Sequence, residues 1–114
     1  MFVPLLLFSQ ENVGLRFQST IYDFGELSSN EDATALFNFV NASGTPIEIL
    51  NIKGGSRCVL IDSSSVKSYA PSEKGEIFIT YNTACTGPIR KTLSVFTDNK
   101  DDTVALKLTG EVSN

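Results

Sequence analysis

The chain has 114 residues, a net charge of −4, no histidine and 41% hydrophobic residues. This length suits one domain, which buries roughly two thirds of its extended surface on folding. The acidic balance argues against nucleic-acid binding, and the lack of histidine removes the commonest general base and metal ligand. We therefore expect a protein that is not an enzyme, with no catalytic residues, cofactor or metal.

The chain opens with a strongly apolar run, Met-Phe-Val-Pro-Leu-Leu-Leu-Phe, followed by Ser9 and Gln10. This run is far too short to span a bilayer. It resembles the apolar core of a secretory signal, although the basic segment and the small-residue cleavage pair of such signals are missing. We interpret residues 1–10 as a signal-peptide remnant. The alternative is an N-terminal β-strand.

The first half of the remaining chain consists of strand patterns separated by turn residues. Val, Ile, Phe and Tyr, which favour strands, alternate here with polar residues. Residues 62–75 are polar and rich in serine, and we expect a long surface connection there. The strand patterns cover residues 15–19, 21–27, 33–41 and 47–53, with a short run at 56–61.

The second half contains the clearest strand signal of the chain, between Gly87 and Asn99. A preceding strand at 76–82 and a closing strand at 103–112 flank it, with a hairpin expected at 98–102. No window shows helical periodicity. Six or seven strands with turns every 8 to 14 residues predict an immunoglobulin-like antiparallel β-sandwich over residues 15–112.

Several segments resemble, in order, the motifs of one family. Phe17 with Tyr22-Asp23-Phe24-Gly25 resembles its opening F…D-F-G, residues 37–47 resemble its F-x-F-x-N-x-G-x-x-P-L segment, and residues 70–77 resemble its P-G-x-x-G-x-I turn. The family is the exported bacterial Ig-like domain of unknown function fifteen seventy-three, which is distantly similar to hydin and abnormal-spindle domains. The resemblance implies a seven-stranded sandwich in an exported protein, periplasmic or associated with the cell envelope, with no established activity.

The two cysteines, Cys58 and Cys85, are 27 positions apart. In a seven-stranded sandwich the connections at 28–32, 54–58 and 83–88 share one pole, so the topology brings both sulfurs to the same end. We predict a disulfide, worth on the order of 3 kcal/mol in the chain-entropy model. The alternatives are two plain buried thiols, or reactive thiols activated by cations such as Arg57 and Arg90. The C-G-C segment typical of the family reads Ser56-Arg57-Cys58 here, which weakens any metal or redox role.

These observations favour a non-catalytic exported Ig-like module with a structural or protein-binding role. Its partner would be a protein held by an edge strand or by the polar loops, with no nucleic acid and no membrane span. The alternative function is a thiol-redox or metal-binding protein that uses the pole of Cys58 and Cys85.

Overall fold

The computed structural model describes residues 14–98 and 103–114, which form two packed β-sheets. The predicted signal-peptide remnant at residues 1–10 and most of the predicted hairpin at 98–102 lie outside these residues. The strands are β1 (Leu15–Phe17), β2 (Ile21–Ser28), β3 (Thr34–Asn41), β4 (Ile47–Lys53), β5 (Val59–Ile61), β6 (Ser68–Tyr69), β7 (Lys74–Tyr81), β8 (Gly87–Thr97) and β9 (Val104–Ser113).

One sheet has four strands in the order β1-β3-β7-β5, and the other has five in the order β2-β9-β8-β4-β6. All neighbouring pairs are antiparallel except β2 and β9, which run parallel. Because each sheet has one apolar face, the two sheets stack with those faces together and bury a common core. The predicted immunoglobulin-like sandwich is confirmed.

Two strands of the expected seven are divided, and each changes sheet in the middle. The first begins as β1 in the four-stranded sheet and continues as β2 in the five-stranded sheet. The fourth begins as β5, passes through a 3-10 turn at Ser63–Ser65 and ends as β6 in the opposite sheet. Nine short strands therefore arise from seven long ones.

The predicted surface connection at 62–75 was wrong in part, because this segment contributes to both the sheet and the core. Tyr69 is only 1% exposed, and it packs its ring against Phe39 with 4.9 Å between centroids. A two-residue strand shows no alternation that a sequence pattern could reveal. The predicted short strand at 56–61 is also shorter in the structure, where it starts at Val59.

The core follows the predicted alternation of the long strands. The apolar residues on one face of β3, β7 and β8 are buried between the sheets, which removes their surface from water. The buried residues of these strands include Ala35, Phe37, Phe39, Ile77, Ile79, Tyr81, Ile89, Leu93 and Val95.

Gly75 leaves room for two aromatic rings in this core. A Cβ atom at this position would overlap Cζ of Phe39 and lie 2.7 Å from Cε2 of Tyr69. We expect Gly75→Ala to lower the free energy of unfolding by about 1–3 kcal/mol, because both rings must shift. Urea unfolding measures this change.

Gly44→Ala is the matched control, because a Cβ there meets nothing within 4 Å. If the two alanine variants unfolded at the same urea concentration, crowding at Gly75 would not limit the packing of the core.

Candidate functional site

The predicted cysteine pole is present, and its two sulfur atoms are bonded to each other. The Cα atoms of Cys58 and Cys85 are 6.0 Å apart across the disulfide. The backbone supports the same junction, since Asn82 N donates to Cys58 O at 2.8 Å and Cys85 N donates to Asn82 O at 2.9 Å. The β4–β5 and β7–β8 connections are therefore held together both covalently and by hydrogen bonds.

Thr83 ties the β2–β3 connection to this pole. Its hydroxyl donates to Glu31 O at 2.9 Å and accepts from Asn30 N at 3.1 Å. The Thr83 side chain is buried, so these bonds are shielded from competing water. The three connections that the sequence placed at one pole thus meet there and form one rigid unit.

The alternative of a thiol-redox or metal site at this pole is not supported, because neither sulfur is free to act as a nucleophile or ligand. Within residues 14–98 and 103–114, no group of three metal-ligating side chains occurs. Lys53, the last residue of β4, pairs with Ser94 and places Nζ 5.3 Å from the ring centroid of Phe96. The disulfide therefore acts as a structural cross-link.

A second feature, which the sequence did not reveal, is an open groove of about 740 Å³. Its volume lies in the range of ligand-binding sites. Its lining brings together strands of the four-stranded sheet, the 3-10 turn and β6, which are far apart in the chain. The lining residues are Arg16, Phe17, Gln18, Asn38, Phe39, Val40, Ser64, Ser65, Lys67, Tyr69, Lys74, Gly75, Glu76 and Phe78.

One border of the groove is the part of β7 that β5 does not cover. Tyr81 N donates to Ala33 O, so the odd-numbered residues of β7 point their backbone groups toward β3 and the even-numbered ones point away. On that far side β5 pairs with β7 only from residue 79 to residue 81, and Asp62 N then donates to Phe78 O at 3.1 Å. No strand of the described chain lies beside Lys74 and Glu76 on this side.

Tyr69 and the 3-10 turn also line the groove. The Tyr69 hydroxyl donates to Ser65 O at 2.8 Å, and Lys67 Nζ lies 5.3 Å from its ring centroid. Burial raises the pKa of Tyr69, and the negative charge of Glu73 raises it further, so the phenol stays a neutral donor at physiological pH. Ser65 is 3% exposed, and its Oγ has no hydrogen-bond partner.

The outer surface of the same sheet carries an apolar patch, formed by Leu36, Leu60 and Phe78. Leu36 and Phe78 lie directly opposite each other on β3 and β7, and Leu60 pairs with Thr80, two residues from Phe78. These side chains are 36%, 55% and 37% exposed. Apolar residues at the wet-face positions of neighbouring strands were the one signal in the sequence that pointed to this surface.

Asn41, which belongs to the motif resembling the family, holds the end of β3 next to the groove. Its side chain is fully buried, yet Nδ2 donates to Thr45 O and Tyr69 O, and Oδ1 accepts from the backbone N and the hydroxyl of Ser43. All four hydrogen-bonding positions of the amide are therefore used. Because all its hydrogen bonds are made, Asn41 holds the β3–β4 turn and Tyr69 in place, and its role is structural.

Ser72 lies in the turn that leads from Tyr69 into β7. Its φ of 70° is in the left-handed region, which glycine adopts at little cost. We expect Ser72→Gly to raise the free energy of unfolding by about 0.5–1 kcal/mol, because the relief of this strain exceeds the entropy that glycine gains in the unfolded chain. Thermal unfolding measures the change.

Ser68→Gly is the control for Ser72→Gly, since Ser68 is exposed on β6 and has a negative φ. This variant should be slightly destabilised. If Ser72→Gly and Ser68→Gly were both less stable than the wild type, the prediction that Ser72 is strained would be wrong.

None of the helices in the described ranges is long and apolar enough to cross a membrane. No curated protein matches the chain. Among solved structures, a protein of unknown function from Porphyromonas gingivalis W83 aligns with a TM-score of 0.73 and 15% identity, over 89% of this chain and 48% of that one. The chain thus spans about half the length of that protein.

Two further solved structures are similar to this chain. The ASH/PapD-like domain 7 of human CEP192 aligns with a TM-score of 0.70 and 12% identity, over 100% of this chain and 91% of that one. The VesB protease of Vibrio cholerae aligns with a TM-score of 0.66 and 6% identity, over 89% of this chain and 32% of that one. At these identities the similarity shows the fold alone.

The model of one family, described as "Protein of unknown function (DUF1573)", matches residues 15–112. This range includes both halves of the sandwich and the Asn41 turn. The resemblance of the sequence motifs to this family is confirmed, and the chain belongs to the DUF1573 family.

Proposed function

We propose that this protein is a non-catalytic, exported module that binds another protein. The observation that carries the proposal is the groove of about 740 Å³ between the uncovered part of β7 and Tyr69, with the apolar patch beside it. Exposed apolar surface that adjoins a rigid groove is typical of interaction sites. The end of β3 beside it is held by the hydrogen bonds of Asn41.

The disulfide supports export. Such bonds persist in the periplasm and at cell surfaces, whereas the cytosol of most organisms keeps thiols reduced. A periplasmic or envelope location therefore agrees with the bond between Cys58 and Cys85.

Thiol trapping in the cells that naturally produce the protein tests its export. After an acid quench, maleimide-polyethylene glycol should label neither cysteine until a reductant is added. Labelling before reduction would contradict an oxidising location.

The composition and the groove both support a role without catalysis. The chain has no histidine, and the Tyr69 hydroxyl in the groove is bonded to a backbone carbonyl and not to a basic side chain. A hydroxyl nucleophile needs an adjacent base to become reactive. The likeness to the VesB protease covers a third of that chain at 6% identity, so it shows the fold alone.

Photo-crosslinking in the same cells tests protein binding. Benzoylphenylalanine would replace four exposed large apolar side chains on four different strands, namely Ile21, Leu36, Leu50 and Leu60, one at a time. We expect a discrete crosslinked product from at least one of these positions. The control position is Thr92, an exposed polar residue of β8. If none of the four gave a product above the Thr92 control, the proposal would be wrong.

A further inference from the structure

We propose that the uncovered edge of β7, residues 74–76, binds an extended acidic segment of the partner by adding it to the four-stranded sheet as a further strand. This inference rests on the proposed function, and it names the site and the chemistry of the partner. It follows from the backbone of β7, from the charge of the groove and from the comparison of β7 with the other sheet edges.

The outermost strands of the two sheets are poorly suited to accept a further strand, although β1 and β6 also leave parts of β3 and β4 uncovered. The outermost strands β1, β5 and β6 have only two or three residues. β2 has eight, but its pairing with β9 is interrupted between Asp23 and Glu26, where Gly25 has a φ of 69° and donates its N–H to the Asp23 carboxylate. A bulge and charged side chains are the usual devices that keep an edge strand from pairing.

β7, in contrast, is regular along the whole uncovered stretch. Its pairing with β3 runs without a register shift from Thr80 to Lys74. The backbone N–H and C=O groups of Lys74 and Glu76 point away from β3, as those of Thr80 do where β5 pairs with it. An added segment would continue the line of β5, since the chain leaves that line at Asp62 to cross to the other sheet.

The charge of the groove indicates which kind of partner segment binds there. Lys67, Lys74 and Arg16 line it against the carboxylate of Glu76, with the carboxylate of Glu73 beside Tyr69, so the groove is net positive although the protein as a whole carries a charge of −4. Carboxylates are therefore favoured over ammonium groups at this surface. Phe78 in the lining and Leu36 opposite it on β3 supply exposed apolar surface, so an acidic segment that alternates with apolar residues fits best.

Two synthetic ten-residue peptides test this inference, one with alternating glutamate and valine and one with alternating lysine and valine. The full chain, labelled with nitrogen-15, would be titrated with each peptide and followed by NMR. We expect the acidic peptide to shift the amide signals of Lys74, Glu76 and Phe78, and to bind at least about fivefold more tightly than the basic peptide.

Charge reversal supplies the matched variants. Lys67→Glu combined with Lys74→Glu should weaken binding of the acidic peptide roughly tenfold. Lys107→Glu combined with Arg90→Glu also reverses two positive charges, at exposed positions of β9 and β8 in the other sheet, and it should leave the affinity unchanged. Circular dichroism of each variant would show whether the fold is retained.

Three results would overturn the inference: no binding of the acidic peptide at millimolar concentration, equal binding of both peptides, or shifted amides confined to β2 or β4. The crosslinking experiment shows whether a failure of this inference is also a failure of the proposed function. If crosslinked products formed at Ile21 or Leu50 but no peptide bound at β7, the protein would still be a protein-binding module, and it would bind its partner through another surface. The absence of products at all four positions would reject the proposed function itself.

Discussion

Replacing Asn41 with alanine is expected to lower the free energy of unfolding by about 3–4 kcal/mol, the largest effect of any single polar substitution considered for this protein. The substitution removes four side-chain hydrogen bonds and leaves the buried carbonyl of Tyr69 without its amide donor. Urea unfolding followed by circular dichroism measures the loss. The denaturant slope should stay unchanged, because the unfolded chain is the same.

Asn38→Ala is the matched control for Asn41→Ala. Asn38 lies on the same strand, is half-buried, and fills an outward-facing position in the groove. This control should change the stability by less than about 1 kcal/mol. Equal losses in the two variants would show that the hydrogen bonds of Asn41 do not determine the stability of this turn.

Asn41→Asp separates hydrogen bonding from packing, because the side chain keeps its shape. Its carboxylate would face two carbonyl oxygens, so the folded protein raises the pKa of the new carboxyl above its unfolded value of about 3.9. A group with a raised folded pKa contributes most below the unfolded pKa and loses stability as the pH increases. The variant should therefore be closest to wild type near pH 4 and weakest at neutral pH.

Removal of the disulfide should produce the second large effect. The free energy of unfolding of the double variant Cys58→Ser with Cys85→Ser is expected to be about 3 kcal/mol lower than that of the oxidised protein, because the bond closes a loop of 27 residues. The denaturant slope should rise, since the unfolded chain without a cross-link exposes more surface. Both quantities come from the same urea titration.

Reduction of the wild-type protein provides the control for this second effect. Added dithiothreitol should bring the wild type to the stability of the double variant and leave the variant itself unchanged. Equal stability of oxidised wild type and double variant, without reductant, would show that the bond is not a stabilising cross-link.

The sequence was informative wherever a structural property depends on neighbouring residues. The alternation in β3, β7 and β8 identified these segments as strands with two different faces, because side chains of a strand point to opposite sides with a period of two residues. The pole of Cys58 and Cys85 followed from counting strands, since successive connections in a sandwich alternate between its two ends. Both inferences needed only the order of the strands.

The burial of Tyr69 and the hydrogen bonds of Asn41 could not be predicted from the sequence pattern. Tyr69 lies in a serine-rich stretch with no periodic pattern, and it is buried only because the chain crosses between sheets at Ser63–Ser65. Asn41 was visible as part of a motif, but its four hydrogen bonds reach Ser43, Thr45 and a residue 28 positions later. A sequence pattern does not contain such distant partners.

The sequence by itself determined the class of fold, the two inward-facing sets of core residues and the meeting of the two cysteines, because all three depend on alternation and strand order. Only the tertiary structure decided that β5 ends at Ile61 and that the chain then crosses to the other sheet. That crossing uncovers the edge of β7 and creates the groove. The candidate binding site is therefore a consequence of where a strand stops pairing, which is settled by packing between distant segments.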